Sequence, residues 1–156
     1  MASTAVRQEQ LWFLDTLVSI PVDHASGVDG VSVIESRARE GDSPPLHIHH
    51  TEDEIFHVLE GELRVRLGDS ELVVAAGETV IGPRGVAHTY RVESSEARWL
   101  VITTRGDFER MVRSMSRPAE RPELPEPSGP PTQEQVDALA ATCRECGIDL
   151  VGPPLA

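Results

Sequence analysis

The sequence predicts an all-β domain, a sandwich or barrel, finished by short C-terminal helices. Three observations carry this. Short runs rich in Val, Ile, Leu and Thr recur from Gln10 to Thr104, separated by Gly, Pro, Asp and Ser. Leu63, Val65 and Leu67 alternate with Arg64 and Arg66, the mark of a strand with one buried and one wet face. Beyond Thr104 the apolar spacing changes to that of a helix. The 156 residues suit one domain, large enough to bury a core without disulfide staples.

In chain order, Leu11–Leu14 and Thr16–Ile20 open the series of strands, and Val28–Ser36 follows a turn-like His24-Ala25-Ser26-Gly27. Gly68-Asp69-Ser70 closes a hairpin between the alternating run and Leu72–Ala75. Thr79–Ile81, His88–Val92 and Arg98–Thr103 complete the set. Phe108, Met111, Val112 and Met115 then lie at helical spacing, with Asp107 as the expected N-cap. Residues 117–131 carry six prolines and are expected to run extended over the surface. Thr132 and Gln135 form a capping box for a second helix, and Gly147 ends it. Val136, Leu139, Ala140 and Cys143 make only a modest apolar stripe on that helix. It is expected to pack on the outer barrel surface, or on a partner subunit, and not to enter the metal pocket. The division is therefore a barrel with its adjoining helix over 1–116, a linker over 117–131, and a C-terminal helix and tail over 132–156, packed on the barrel.

A net charge of −12 repels phosphates and argues against a nucleic-acid partner. The apolar stretch Leu11–Ile20 is broken by Asp15 and is too short to span a bilayer. No basic segment followed by an apolar core precedes it, so a cytoplasmic protein without a membrane partner is expected. Cys143 and Cys146 do not make a disulfide framework, and their place at a helix C-terminus disfavours a thiolate.

Chemistry concentrates in the histidines. Three of the six lie within four residues: His47, His49 and His50. On a strand His47 and His49 point to one face and His50 to the other. Glu54 follows across an expected turn at residues 50–53, and His88 opens a later strand after Gly82-Pro83-Arg84-Gly85. A single histidine in a strand is ordinarily a surface or hydrogen-bonded residue. Three imidazoles and one carboxylate together suit a first-row transition metal with room left for water or substrate.

These residues resemble the two motifs of the cupin superfamily. The first, G-x5-H-x-H-x3,4-E-x6-G, is matched by Gly41, His47, His49, Glu54 and Gly61. The second, G-x5-P-x-G-x2-H-x3-N, is matched by Gly77, Pro83, Gly85 and His88, with Val92 in place of Asn. That Asn is not a metal ligand in the family. The resemblance implies a double-stranded β-barrel (jelly roll) holding one divalent ion, Fe, Mn, Ni, Co, Cu or Zn, with His47, His49, Glu54 and His88. No internal repeat is seen, so one cupin unit is expected. More loosely, the opening LWFLDTLVSI and the closing CGIDLVGPP are similar to bacterial monocupins labelled quercetin 2,3-dioxygenase-like.

Alternation places Tyr90 beside His88, and Phe56 and Val58 beside Glu54, so Tyr90 and Phe56 are the expected substrate-contacting residues. Trp12 and Trp99 are expected in the core or at a dimer contact, and His57 on the opposite face from Glu54. The expected activity is a metal-dependent dioxygenase on an enolic, flavonol-like or catechol-like small molecule. By resemblance, Glu54 acts as both ligand and base. The alternatives are a redox-neutral isomerase or polyketide-type cyclase, and a non-catalytic module binding a small molecule or metal. A homodimer is expected, because the apolar strand Leu11–Phe13 leaves an edge that needs cover.

Overall fold

Strand alternation decides which residues face inward throughout the structure, a computed structural model describing residues 8–156. The first seven residues of the expected 1–116 barrel lie outside the described residues. The strands are β1 (Gln10–Phe13), β2 (Thr16–Val22), β3 (Ser32–Arg39), β4 (Leu46–His49), β5 (Glu54–Glu60), β6 (Glu62–Leu67), β7 (Ser70–Ala75), β8 (Thr79–Gly82), β9 (His88–Val92) and β10 (Glu96–Thr103). Helix α1 (Asp107–Met115), strand β11 (Arg117–Pro118), helix α2 (Gln133–Glu145) and strand β12 (Ile148–Gly152) follow. They form two antiparallel sheets, ordered β11-β1-β2-β3-β10-β5-β8 and β12-β4-β9-β6-β7. This is the jelly-roll barrel.

The inner faces meet in one core. Ile34 and Ala38 of β3, Phe56 and Val58 of β5, and Ala97, Trp99 and Val101 of β10 pack against Leu63, Val65 and Val92 from the facing sheet. Trp99 meets Tyr90 edge-on across the barrel, ring centroids 5.1 Å apart. Val92, the departure from the second motif, is a fully buried core residue. The four motif glycines Gly41, Gly61, Gly77 and Gly85 have φ of 87°, 79°, 88° and 83°. A side chain is strained in that region, and at Gly61 a Cβ would also collide with the Glu96 carbonyl.

Four expectations are corrected. Residues 28–31 are not strand: the polar Asp29-Gly30 pair bends the chain, Gly30 takes φ 71°, and β3 starts at Ser32. Asp107 is the first helical residue of α1 and not its cap; Gly106 holds the cap position without a side-chain hydrogen bond. The β1 edge is already covered within the chain. Leu11 and Trp12 pair with Pro118 and Arg117, and Trp12 Nε1 donates to the Glu123 carbonyl at 2.8 Å. Leu124 is buried with Trp12 and Leu17. Residues 117–131 are thus extended, but they strap the sheet edge, which removes the reason given for a homodimer. Finally, α2 does not keep to the outside. The capping box and the Gly147 stop (φ 71°) form as expected. The chain then returns as β12, pairing Ile148 with His49 and Leu150 with His47, so α2 is drawn over the barrel mouth. Met111 of α1, Cys143 of α2 and Ile148 form a separate apolar cluster there. Among the described residues, no helix is long and apolar enough to cross a membrane.

Candidate metal centre

His47 and His49 reach the barrel interior because β4 alternates, with both rings buried and Leu46 and Ile48 turned the other way. Strand β9 lies next to β4 and pairs His88 directly with His47. Glu54 is the first residue of β5 on the opposite sheet and faces them across the barrel. One ligand atom from each of the four lies within 4.8 Å of all the others. Glu54 Oε2 is 2.7 Å from His88 Nε2, 3.0 Å from His49 Nε2 and 3.8 Å from His47 Nε2. All four residues are buried. Gly82 leaves space for the His88 ring, since a Cβ there would stand 3.0 Å from His88 Nδ1.

The outer nitrogens orient the rings. His47 Nδ1 donates to the Pro45 carbonyl at 2.8 Å and His88 Nδ1 to the Val86 carbonyl at 3.0 Å. His49 Nδ1 donates to Glu52 Oε1 at 3.1 Å. With each Nδ1 facing an acceptor, Nδ1 carries a proton and Nε2 is left to face the centre. Three nitrogen lone pairs and a carboxylate oxygen at this spacing repel one another unless a cation joins them. In the absence of metal a proton must do so. Burial disfavours a charged His49, but the Glu54 and Glu52 carboxylates outweigh it and raise its pKa to about 10. Burial likewise opposes ionised Glu54, yet the charge on His49 and the facing imidazoles of His47 and His88 hold its pKa well below the usual carboxylate range. Burial lowers His47. The donor set therefore fits a divalent first-row ion.

Above the centre lies a narrow, mainly apolar cavity of about 80 Å³. Phe56 and Tyr90 line it. Phe108 and Met111 of α1, Leu139 and Cys143 of α2, and Ile148 and Leu150 of β12 line it too. The expectation that the C-terminal helix stays clear of the pocket fails here. Its small apolar stripe suits burial against an outer surface, whereas β12 pairing brings it to the mouth. Tyr90 donates to Asp42 Oδ2 at 3.3 Å. Burial pushes the Tyr90 hydroxyl well above its ordinary range and Asp42 up to about 6. His50 is exposed and bonds Asp149 at 2.8 Å, and His57 bonds Thr79 on the outer face. Both stand apart from the centre. Cys143 is buried, donates to Met111 Sδ, and is pushed up to about 11 by burial, which leaves an unreactive thiol. A second group, Asp23, His24 and Glu109, already holds the Arg113 guanidinium, 2.9 Å from both Asp23 and Glu109.

Sequence reasoning missed Glu52. Its place in the turn at residues 50–53 signals no role, and nothing local distinguishes it from Asp53. The one available signal was a carboxylate three residues after a ligand histidine.

Comparison with known proteins agrees with this fold. Residues 35–103 match the cupin domain family model (Cupin_2), so this part of the chain is a cupin domain. It is similar to quercetin 2,3-dioxygenase of Bacillus subtilis, 25% identical over 117 residues, covering 75% of this chain and 35% of that one. The chain thus spans about a third of that relative's length. An RmlC-like cupin from Shewanella frigidimarina superposes with a TM-score of 0.57 at 15% identity, over 66% of this chain and 88% of that one. An oxalate oxidase superposes with a TM-score of 0.50 at 29% identity, over 67% of this chain and 55% of that one.

Proposed function

We propose that the protein is a metal-dependent dioxygenase acting on a small enolic or catechol-like molecule. The observation that carries this reading is the convergence of His47, His49, His88 and Glu54 at the floor of an apolar cavity. The likeness to quercetin 2,3-dioxygenase and to an oxalate oxidase supports oxygen chemistry. When bound, a redox-capable first-row ion supplies Lewis acidity and electron transfer toward O₂. The three histidines would hold it through Nε2. Glu54 stays ionised and takes the proton of a substrate hydroxyl as the substrate docks. Tyr90 offers a neutral hydroxyl held by Asp42, and Phe56 packs on the substrate's apolar body. Leu139, Met111 and Phe108 exclude bulk water. Both oxygen atoms enter the product, so no external reductant is required.

Size narrows the substrate. A cavity of about 80 Å³ is small beside the roughly 300–1,000 Å³ of ordinary small-molecule pockets, so it favours a compact substrate. A single ring or a short enol fits with small wall movements, while a flavonol would have to displace Leu139 or the exposed Leu14. Metal analysis of protein purified without an affinity tag, followed by an O₂-electrode screen of catechols, enediols and flavonols, tests the reading. The expected result is near-stoichiometric metal and oxygen uptake with the smaller substrates. Turnover without oxygen uptake would instead indicate a redox-neutral isomerase or cyclase. Tight ligand binding without turnover would indicate a non-catalytic binding module.

A further inference from the structure

We propose that Glu52 is a positioning residue that joins the metal centre to helix α1, so that metal binding and docking of α1 reinforce each other. This rests on the metal reading above.

Glu52 is 1% exposed and is not among the four converging ligands. A carboxylate so buried must be fully partnered, and its partners come from two places. Oε1 accepts from His49 Nδ1 at 3.1 Å and from the Phe108 amide at 2.8 Å; Oε2 accepts from the Asp107 amide at 3.1 Å. One side chain therefore orients a metal-facing imidazole and caps the first turn of α1. That turn has no side-chain cap of its own. The flanking residues run the same way: Thr51 Oγ1 donates to Asp107, and the Asp53 amide donates to Thr104 Oγ1.

The three histidines are not equivalent. His47 and His88 rest on backbone carbonyls, whereas His49 alone rests on a carboxylate. A metal on Nε2 withdraws electron density from the ring and makes Nδ1–H a stronger donor. The bond to Glu52 tightens, and Glu52 is pinned where the α1 amides need it. Helix α1 in turn forms part of the cavity wall through Phe108 and Met111, and the Phe108 ring lies 6.2 Å from that of His49. Because the coupling is a free energy between two sites, it acts in both directions.

The test uses zinc alone as the probe. Amide exchange over residues 107–110 is compared with and without Zn²⁺ in the wild type, with the first turn of α2, Gln133–Asp137, as internal control. Zinc affinity of wild type and Glu52→Gln is measured by chelator competition. Visible spectra of the Co²⁺-loaded forms report the ligand field at His49. Zinc should slow exchange over 107–110 by roughly tenfold, within the usual span for coupled sites, and leave the control unchanged. Glu52→Gln should bind zinc roughly 10–100-fold more weakly, the usual effect of losing such a partner, with a shifted Co²⁺ spectrum. Zinc binding with unchanged exchange over 107–110 would overturn the proposal and leave the metal centre standing, as would a folded Glu52→Gln with wild-type affinity. A wild type that binds no metal would overturn both. If Glu52→Gln does not fold, the wild-type exchange comparison decides alone.

Discussion

The two helices start in opposite ways. Helix α2 carries its own cap: Thr132 Oγ1 accepts from the Gln135 amide at 3.2 Å, and Gln135 Oε1 accepts from the Thr132 amide at 2.9 Å. Helix α1 has Gly106 at the cap position and takes its acceptor from Glu52, more than fifty residues earlier in the chain. The start of α2 is exposed, whereas the start of α1 lies against His49. The contrast teaches that a self-contained cap lets a helix begin without help from the barrel. A borrowed cap makes it answer to whatever holds the lender, and here that is the His49 ring of the candidate metal centre.

The largest expected break in this comparison is removal of residues 130–156. That deletes α2 and β12, stripping β4 of its outer neighbour and the cavity of Leu139, Cys143 and Ile148. Each large apolar side chain fully buried contributes about 1.5–3 kcal/mol, so urea unfolding should show a loss of several kcal/mol. Zinc affinity should fall as well, because the strand bearing His47 and His49 becomes a sheet edge. Helix α1 should persist, since its cap comes from the barrel side. Zinc binding as tight as in the full chain would show that β12 only covers the site.

A smaller effect is linkage to pH. In metal-free protein His49 is raised from 6.5 to about 10 by Glu54 and Glu52 against the cost of burial. A raised pKa stabilises the fold fully below the unfolded value and fades as pH climbs through the folded one. Glu54 has the opposite sign: held well below 4.5, it contributes above that value and is lost as pH falls through its lowered one. Metal-free stability should therefore be greatest between 4.5 and 6.5 and decline toward 10. A metal takes the place of the His49 Nε2 proton, so zinc loading at a pH of about 8 should release about one proton. Titration calorimetry in buffers of different ionisation enthalpy measures this, and no release would mean that His49 is already neutral.

How much was legible follows the same division. The convergence of His47, His49, Glu54 and His88 could be read because its members are strand neighbours at i, i+2 or stand beside turn glycines, a pattern written locally at each segment. The barrel, the hairpin at Gly68, the α2 box and the inward Phe56 and Tyr90 were legible for the same reason. What escaped is held by contacts between distant segments: Glu52 on the α1 amides, β12 beside β4, and Arg117–Pro118 along β1. Ile148–Gly152 is a short apolar run whose pairing partner lies a hundred residues away, and no local rule assigns it to the pocket wall. The extended reading of 28–31 failed differently, because the Asp29-Gly30 turn outweighs two flanking valines.

The smallest expected effect sharpens the comparison from the α2 side. Thr132→Ala removes the acceptor for the Gln135 amide and breaks the capping box. Loss of such a cap costs about 1 kcal/mol, a fall in Tm of roughly 2–4 °C for a protein of this size. Because the box is exposed and closed on itself, the change should stay local. Exchange should quicken over residues 133–137, while zinc affinity and exchange over 107–110 stay at wild-type values. Glu52→Gln should do the reverse, quickening 107–110 and weakening zinc with 133–137 unchanged. Thermal melts, chelator competition and amide exchange on the two variants side by side make the measurement. A Thr132→Ala protein that loses zinc affinity would mean that the two helix starts communicate through the shared Met111–Cys143 packing, and that a self-contained cap does not isolate α2 after all.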